Sequence, residues 1–529
     1  MKIKEFFSTV SAGTGIDVST AVRDTMFLFS VDEAGAWPAG APLTELKTGS
    51  LLVASSVSCE RNHVYVKITI SFCKPGSEPE SLTESMCRPM PPERAKSTDN
   101  EDLTGLVKRL VRLAVLGLMR KLTGSNPVPW GILRGVRPTK IVHRLLDQGL
   151  IHDQVTSKLV QEYALEPAKA DLITGIAIHQ RPVVSNPDNR TRTKTVSIYV
   201  GIPYCPSRCL YCSFPSFILP EKNEQINAFL QAITRDIKST ISLVRKFNLS
   251  VESIYIGGGT PTSLAAADLS SLLSLIKNGF EGVHTSEFTV EAGRPDSINN
   301  EKIDVLRQYG VNRVSINPQT MQDKTLKQIG RRHTVQDIID IFAKIRRAGI
   351  PLINMDVIAG LPGESEADME DTMRQIAQLN PENVTLHTLA LKRGSLLMEA
   401  LNSGVLSRHD LPNEETTQAM LKAAASYITQ MDMHPYYLYR QKYMTGNLEN
   451  IGYAKPDTDC IYNIQIMEER QTIIGIGPAA GTKAVSPKNW RLQSSYNAKD
   501  VVSYIKNIDI YLNERDILLS RLYGDREED

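Results

Sequence analysis

Cys205, Cys209 and Cys212 fall within eight residues, in the run YVGIPYCPSRCLYCSFPSF that spans Tyr199 to Phe217. Thiolates so spaced on one short loop can bind three corners of an iron–sulfur cubane. Such clusters ordinarily take four cysteines, so a set of three leaves one iron open to a ligand from outside the chain. Zinc is the rival reading, but a closed zinc site asks for a fourth Cys or His at close range, and none follows here. Burial as three core cysteines is disfavoured, because the intervening Pro206, Ser207, Arg208 and Ser213 are loop residues. The remaining four of seven cysteines, Cys59, Cys73, Cys87 and Cys460, are scattered, and no disulfide scaffold is indicated in a chain of 529 residues.

A loop of this kind needs rigid elements behind it. Short apolar or β-branched runs alternate with helical patterns from residue 195 onward: TVSIYV, a helix over 221–247, SIYIGG, a helix over 266–278, EFTVEA and a helix near 299–309. RVSINP, a helix over 335–348, LINMDVIAG, a helix over 366–379, NVTLHTLA and a helix near 414–431 continue the series. Six strand–helix units demand a parallel sheet with right-handed crossovers and can close most of a barrel. The expected fold is α/β, a partial (β/α)6 TIM-type barrel, with its ligand site at the carboxyl ends of the strands, where the unusual residues fall.

The first 95 residues read as a small β-containing module carrying the alternating run HVYVKITISF (63–72), with PGSEPES and RPMPPERAKSTDNED as loops. LTGLVKRLVRLAVLGLMRKL, from about 102, is an amphipathic helix whose basic residues form a solvated face. WGILRGVRPTKIVHRLLDQG and helical sequence to about 178 follow, then a polar linker, RPVVSNPDNRTRTK, with a domain boundary near 190. The expected organisation is an α+β N-terminal domain (1–190), the barrel (191–431) and a C-terminal extension covering the active site (432–529). Apolar residues make up 41% and charged residues 22%, and 60 Lys plus Arg balance 59 Asp plus Glu. That balance gives no electrostatic footprint for nucleic acid or an anionic membrane. The N-terminus does not read as a signal peptide and no run is long enough to span a bilayer, so a cytoplasmic protein is expected.

With these motifs in view, residues 195–485 resemble the radical S-adenosylmethionine (SAM) superfamily, and within it the oxygen-independent coproporphyrinogen III oxidase-like family. The combination YVGIPYC, IGGGTPT, VSINPQT, GRRHT and MDVIAGLPGE carries the resemblance, and WGILRGVRPTKI is similar to the longer, dehydrogenase-like branch. The resemblance implies a radical SAM barrel with a 4Fe-4S cluster on Cys205, Cys209 and Cys212 and SAM on its open iron. It further places Tyr199 beside SAM, Tyr211 at the adenine, and Gly258, Gly259 and Thr260 at the methionine amino group. Glu291 is directed at SAM, Gln319 and Arg331 form a polar pair whose arginine can clamp a carboxylate, Asp356 lies near the ribose hydroxyls, and Ala390 matches by position. GIGPAAG (475–481) resembles a turn closing over SAM, though a plain turn explains it nearly as well. No catalytic residue is assigned.

Two departures bear on function. Phe214 occupies the position of a fourth cysteine in the well-studied oxidases, as it does in the haem-chaperone branch. That branch's C-terminal His-Asn-x-x-Tyr-Trp motif is here YNIQIM, with Tyr462 in place of the histidine and Ile466-Met467 in place of the aromatic pair. The implied activity is oxygen-independent oxidative decarboxylation of coproporphyrinogen III to protoporphyrinogen IX in haem biosynthesis, by a radical SAM oxidoreductase. Haem binding or delivery, or radical SAM chemistry on another tetrapyrrole, are the alternatives. The implied partners are a tetrapyrrole and a low-potential donor such as flavodoxin or ferredoxin, with the chain a monomer.

Overall fold

The computed structural model describes residues 3–12, 15–38, 41–91, 102–125, 129–184, 194–280, 285–441, 448–487 and 489–524. The chain divides into two compact units, Met1–Ile178 and His179–Asp529.

In the first unit, strands β1 (Glu5–Ala12), β2 (Asp32–Ala36), β3 (Ser50–Glu60), β4 (His63–Phe72) and β5 (Glu80–Pro89) form one sheet in the order β2-β1-β3-β4-β5. Alternation in β4 buries Val64, Val66, Ile68 and Ile70 on one face, which packs with Leu106, Val107, Leu110 and Val111 of the helix Leu103–Thr123. The β3–β4 turn places Arg61 and Asn62 at φ 48° and 62°, the left-handed pair that matches hairpin twist. Basic residues of the helix are paired with acids: Arg109 with Glu162 at 2.9 Å, and Lys121 with Glu84 at 2.8 Å. Arg109 is buried and so departs from the solvated basic face expected for this helix. The helix Ser19–Met26 was not expected within this β-rich region.

The second unit is built on an 11-stranded sheet. Its centre is the expected series of six parallel strands in chain order: β6 (Thr195–Ile202), β9 (Ser250–Gly258), β10 (Glu287–Glu291), β11 (Arg313–Ser315), β12 (Leu352–Ala359) and β13 (Asn383–Thr388). Between β6 and β9 lies a two-stranded ribbon, β7 (Tyr204–Cys205) and β8 (Phe217–Ile218). The helices Asn223–Lys246, Ala266–Gly279, Asn300–Gln308, Val335–Arg347, Glu366–Leu379 and Glu414–Gln430 occupy the expected positions. Capping boxes at Thr334/Asp337 and Ser365/Asp368 start two of them by satisfying otherwise orphaned N–H groups.

The barrel stays open because the C-terminal segment pairs with both of its edges. β14 (His434–Tyr439) and β15 (Asn450–Ala454) extend the sheet antiparallel beyond β13. β16 (Thr472–Ile476) adds parallel to β6, followed by β17 (Gly481–Val485) and β18 (Leu492–Tyr496). The GIGPAAG turn belongs to this packing. Gly477 has φ +91°, and a Cβ there would meet the Gly201 carbonyl at 2.4 Å. The helix Ile508–Tyr523 is tied to the barrel by buried Arg515, which donates to Asp236 and Thr240.

The linker expected over 181–194 is helical as far as Val184, because Val184 is buried with Tyr436 and Tyr437; residues 185–193, including the boundary near 190, lie outside the described residues. Of the loop expected at 88–102, residues 92–101 also lie outside them. Among the described residues no helix is long and apolar enough to cross a membrane.

Candidate active site

Apart from the GIGPAAG turn, the residues singled out above for cluster or SAM line one cavity of about 550 Å³ at the carboxyl ends of the parallel strands: Tyr199, Cys205, Cys209, Tyr211, Cys212, Gly258, Gly259, Thr260, Glu291, Gln319, Arg331, Asp356 and Ala390. The β7–β8 ribbon clamps the two ends of the cysteine loop, with the Phe217 amide donating to the Pro203 carbonyl at 2.8 Å. Further along the loop, the Leu210 amide donates to Ile329 at 3.0 Å, and the Arg208 guanidinium to Gly394 at 2.7 Å.

The triple glycine lies directly behind this loop. Gly258 has φ +110°, and a Cβ on Gly259 would meet the Tyr204 carbonyl at 2.6 Å and Cys205 Sγ at 3.0 Å, so no side chain fits there. The amides of Gly259 and Thr260 donate to Ile202 and Tyr204 at 2.7 Å each, and the Thr260 hydroxyl reaches Cys205 Sγ at 3.5 Å.

Cys205, Cys209 and Cys212 line the cavity together, and three thiols can hold three corners of a cubane with its fourth iron left open. Burial pushes the Cys205 and Cys212 thiols up, so their thiolates call for a cationic partner in place. One cation already stands there. Arg294 donates to Cys209 Sγ at 3.4 Å and to Ser207 Oγ at 2.9 Å, and is itself held by Asp296 at 2.9 Å.

Along the wall, Arg331 donates to the carbonyls of Asn317 at 2.6 Å and Gly293 at 3.2 Å and to the Tyr211 hydroxyl at 3.1 Å. Its guanidinium is thereby fixed facing the cavity. Gln319 adopts φ 68°, an unfavourable conformation for a residue with a side chain, stabilised by its amide donating to the Asp356 carbonyl at 2.9 Å. Burial alone would raise the Asp356 carboxyl, but the hydrogen bond and charge of His387, with hydrogen bonds from Asn354 and Thr385, hold it below the usual range.

Glu291 receives the Tyr255 hydroxyl at 2.6 Å. Burial pushes its carboxyl up to about 7, with the Tyr255 hydrogen bond opposing and the Asp356 charge adding. The folded chain therefore holds a proton that the unfolded chain releases above about 4.5. The stability this group contributes is full below that value and lost as pH rises through about 7. Denaturation measured across this window should show a decline of up to roughly 3 kcal/mol attributable to Glu291. Glu291→Gln should flatten the decline, and an unchanged profile would contradict the assignment.

Sequence reasoning missed much of the wall. Tyr255, Arg294, Asn317, Asn354, His387, Lys392, Tyr437, Tyr439 and Asn463 also line the cavity. The alternation in PYYLY, which puts Tyr437 and Tyr439 on one face, was the available signal. Tyr462, noted only as a departure, stacks on Tyr255 with ring centroids 4.4 Å apart. It is placed by Glu287, whose carboxylate accepts from the Ile461 and Tyr462 amides at 2.8 and 3.1 Å at the start of the helix Ile461–Glu468. Residues of GIGPAAG do not line this cavity.

A family model described as the radical SAM superfamily matches residues 199–376. The chain is 37% identical over 418 residues to the oxygen-independent coproporphyrinogen-III oxidase-like protein HemZ of Bacillus subtilis (strain 168), covering 79% of this chain and 82% of that one. It is 31% identical over 296 residues to the heme chaperone HemW of the same organism, covering 55% of this chain and 73% of that one. A solved structure described as coproporphyrinogen III oxidase (HemN) from Escherichia coli overlays with a TM-score of 0.47 at 20% identity, over 66% of this chain and 79% of that one. On the extent of the HemZ match, which runs far beyond the SAM motifs, the chain belongs to the oxygen-independent coproporphyrinogen-III oxidase-like family of the radical SAM superfamily, whose cofactors are a 4Fe-4S cluster and SAM.

Proposed function

We propose that the chain is a radical SAM oxidoreductase that decarboxylates two propionate side chains of coproporphyrinogen III, giving protoporphyrinogen IX without oxygen. The observation that carries the reading is the convergence of the three thiols, the glycine-rich loop and the charged wall residues on a single cavity. Cys205, Cys209 and Cys212 would hold the cluster, leaving one iron for SAM. When bound, the reduced cluster and SAM would supply a deoxyadenosyl radical able to take a hydrogen atom from each propionate side chain, whose carboxyl would then leave as carbon dioxide with one electron passed to an acceptor.

The chain's own residues do the positioning. Glycine at 258 and 259 admits the methionine end of SAM close to backbone carbonyls that can accept from its ammonium. Arg331, held by carbonyls and by Tyr211, presents its charge to the carboxylate. Asp356, kept ionised by His387 and Asn354, can accept from ribose hydroxyls, and Glu291, once ionised, from the ammonium. Gln319 and Ala390 would complete the SAM wall, with Tyr199 beside them. Lys392 lines the same cavity, where burial lowers its pKa, and a propionate beside it would offset that desolvation by pairing with its ammonium. Residues 1–190 would act as an accessory domain, 191–431 as the catalytic barrel and 432–529 as the cover. A flavodoxin or ferredoxin would deliver the electron.

The test is anaerobic incubation of cluster-loaded protein with SAM, reductant and coproporphyrinogen III, with products followed by mass spectrometry. Deoxyadenosine together with protoporphyrinogen IX is the expected result. Deoxyadenosine without decarboxylation would overturn the substrate assignment and favour haem handling or another tetrapyrrole.

A further inference from the structure

A second cluster of metal-ligating side chains lies in the same unit, on residues that the radical chemistry does not use. His179, near the end of the helix Pro167–Val184, meets His434 at the start of β14 and Asp459 just before the helix Ile461–Glu468. The His179 and Asp459 side chains approach to 2.6 Å (Nε2 to Oδ2), His434 Nε2 lies 3.1 Å from Asp459 Oδ1, and the two Nε2 atoms are 3.0 Å apart.

Protons alone do not satisfy this arrangement. With an ionised carboxylate and at most one proton on each Nε2, the three contacts cannot all be hydrogen bonds. Protonating both nitrogens sets two donors against each other across 3.0 Å. Protonating one leaves the other's lone pair facing a carboxylate oxygen. A cation that replaces the protons turns all three contacts into neighbouring ligands of one ion. Two ligands about 2.0–2.1 Å from a tetrahedral zinc ion lie about 3.3 Å apart, close to the 3.0 and 3.1 Å separations at His434, with the 2.6 Å contact between His179 and Asp459 widening to admit the ion.

We propose that His179, His434 and Asp459 bind one divalent transition-metal ion of the zinc class. Two imidazoles and a carboxylate are a borderline donor set on which zinc outcompetes ferrous iron. The His179 side chain is 40% exposed, so the ion has a route from solvent and a fourth position for water. The site joins the two elements that carry Tyr437, Tyr439 and Tyr462 to the wall of the cavity. Its occupation would lock β14 to the Ile461–Glu468 helix.

The experiment uses the full chain with its cluster reconstituted, so that the three cavity thiols are occupied. The protein is exposed to zinc, desalted and analysed for zinc and iron together. One tightly held zinc is expected in the wild type. In His179→Ala and in His434→Gln that zinc should be lost with iron unchanged, and a rise in Tm on adding zinc should disappear with it. Cobalt(II) added to the Cys205→Ser/Cys209→Ser/Cys212→Ser chain should give visible d–d bands without thiolate charge transfer, and these too should vanish in His434→Gln. Zinc that stays bound in both histidine variants, or no retained zinc in the wild type, would overturn the site.

Discussion

Cys209→Ala should abolish both iron retention and SAM cleavage while leaving the chain folded. Cys209 is the middle thiol of the loop and is nearly buried, and its carbonyl accepts from the Cys212 amide at 3.2 Å, so it also orders its neighbour. Two thiols cannot hold a cluster that needs three protein corners. The loop itself is pinned by backbone contacts, to Ile329 at 3.0 Å and Pro203 at 2.8 Å, which the substitution leaves in place. The expected outcome is therefore iron near background and no deoxyadenosine above it, with circular dichroism and Tm unchanged. Cys460→Ala is the matched control: Cys460 is buried against Glu287, off the cavity wall, and its loss should leave iron content intact. Full iron in Cys209→Ala would refute the ligand assignment.

Asp236→Ala should produce the largest loss of stability among single substitutions outside the cavity. Asp236 is fully buried and gathers Arg515, the Tyr504 hydroxyl at 2.7 Å and the Gly477 amide at 3.0 Å. One carboxylate thus holds both the C-terminal helix and the turn after β16. Removing it leaves the Arg515 guanidinium, 1% exposed, without its counter-charge. Stranding a buried charge in this way costs about 3–5 kcal/mol. Denaturant unfolding should show that loss in the transition of the second unit. Asp236→Ala combined with Arg515→Met should recover part of it, because no charge is then stranded. A double variant no more stable than the single one would show that packing, not the ion pair, dominates.

The six strand–helix units were legible because each is a local pattern. Strands buried on both faces read as continuous apolar runs such as TVSIYV, and helices such as Val335–Arg347 announce their starts through capping residues. The cysteine loop was legible for the same reason, since its three thiols lie within eight residues. The convergence of distant motifs could be anticipated only because parallel strands place all their carboxyl ends together.

Other features exist only in the folded chain. β16 pairs with β6 across more than 270 residues, and sheet pairing of this kind is made by backbone groups that every residue carries. No side chain encodes it. Arg294 reaches Cys209, His387 reaches Asp356, and Tyr462 joins the tyrosine stack only where the fold brings the end of β10, β13 and the helix Ile461–Glu468 together. The same holds for His179, His434 and Asp459, which three separate segments bring to one point. By itself the sequence determined the barrel repeat and the three-cysteine loop, whose signals are periodic or adjacent. The tertiary structure decided how the barrel's edges are occupied and which charges tune the site, because those depend on contacts between residues far apart in the chain.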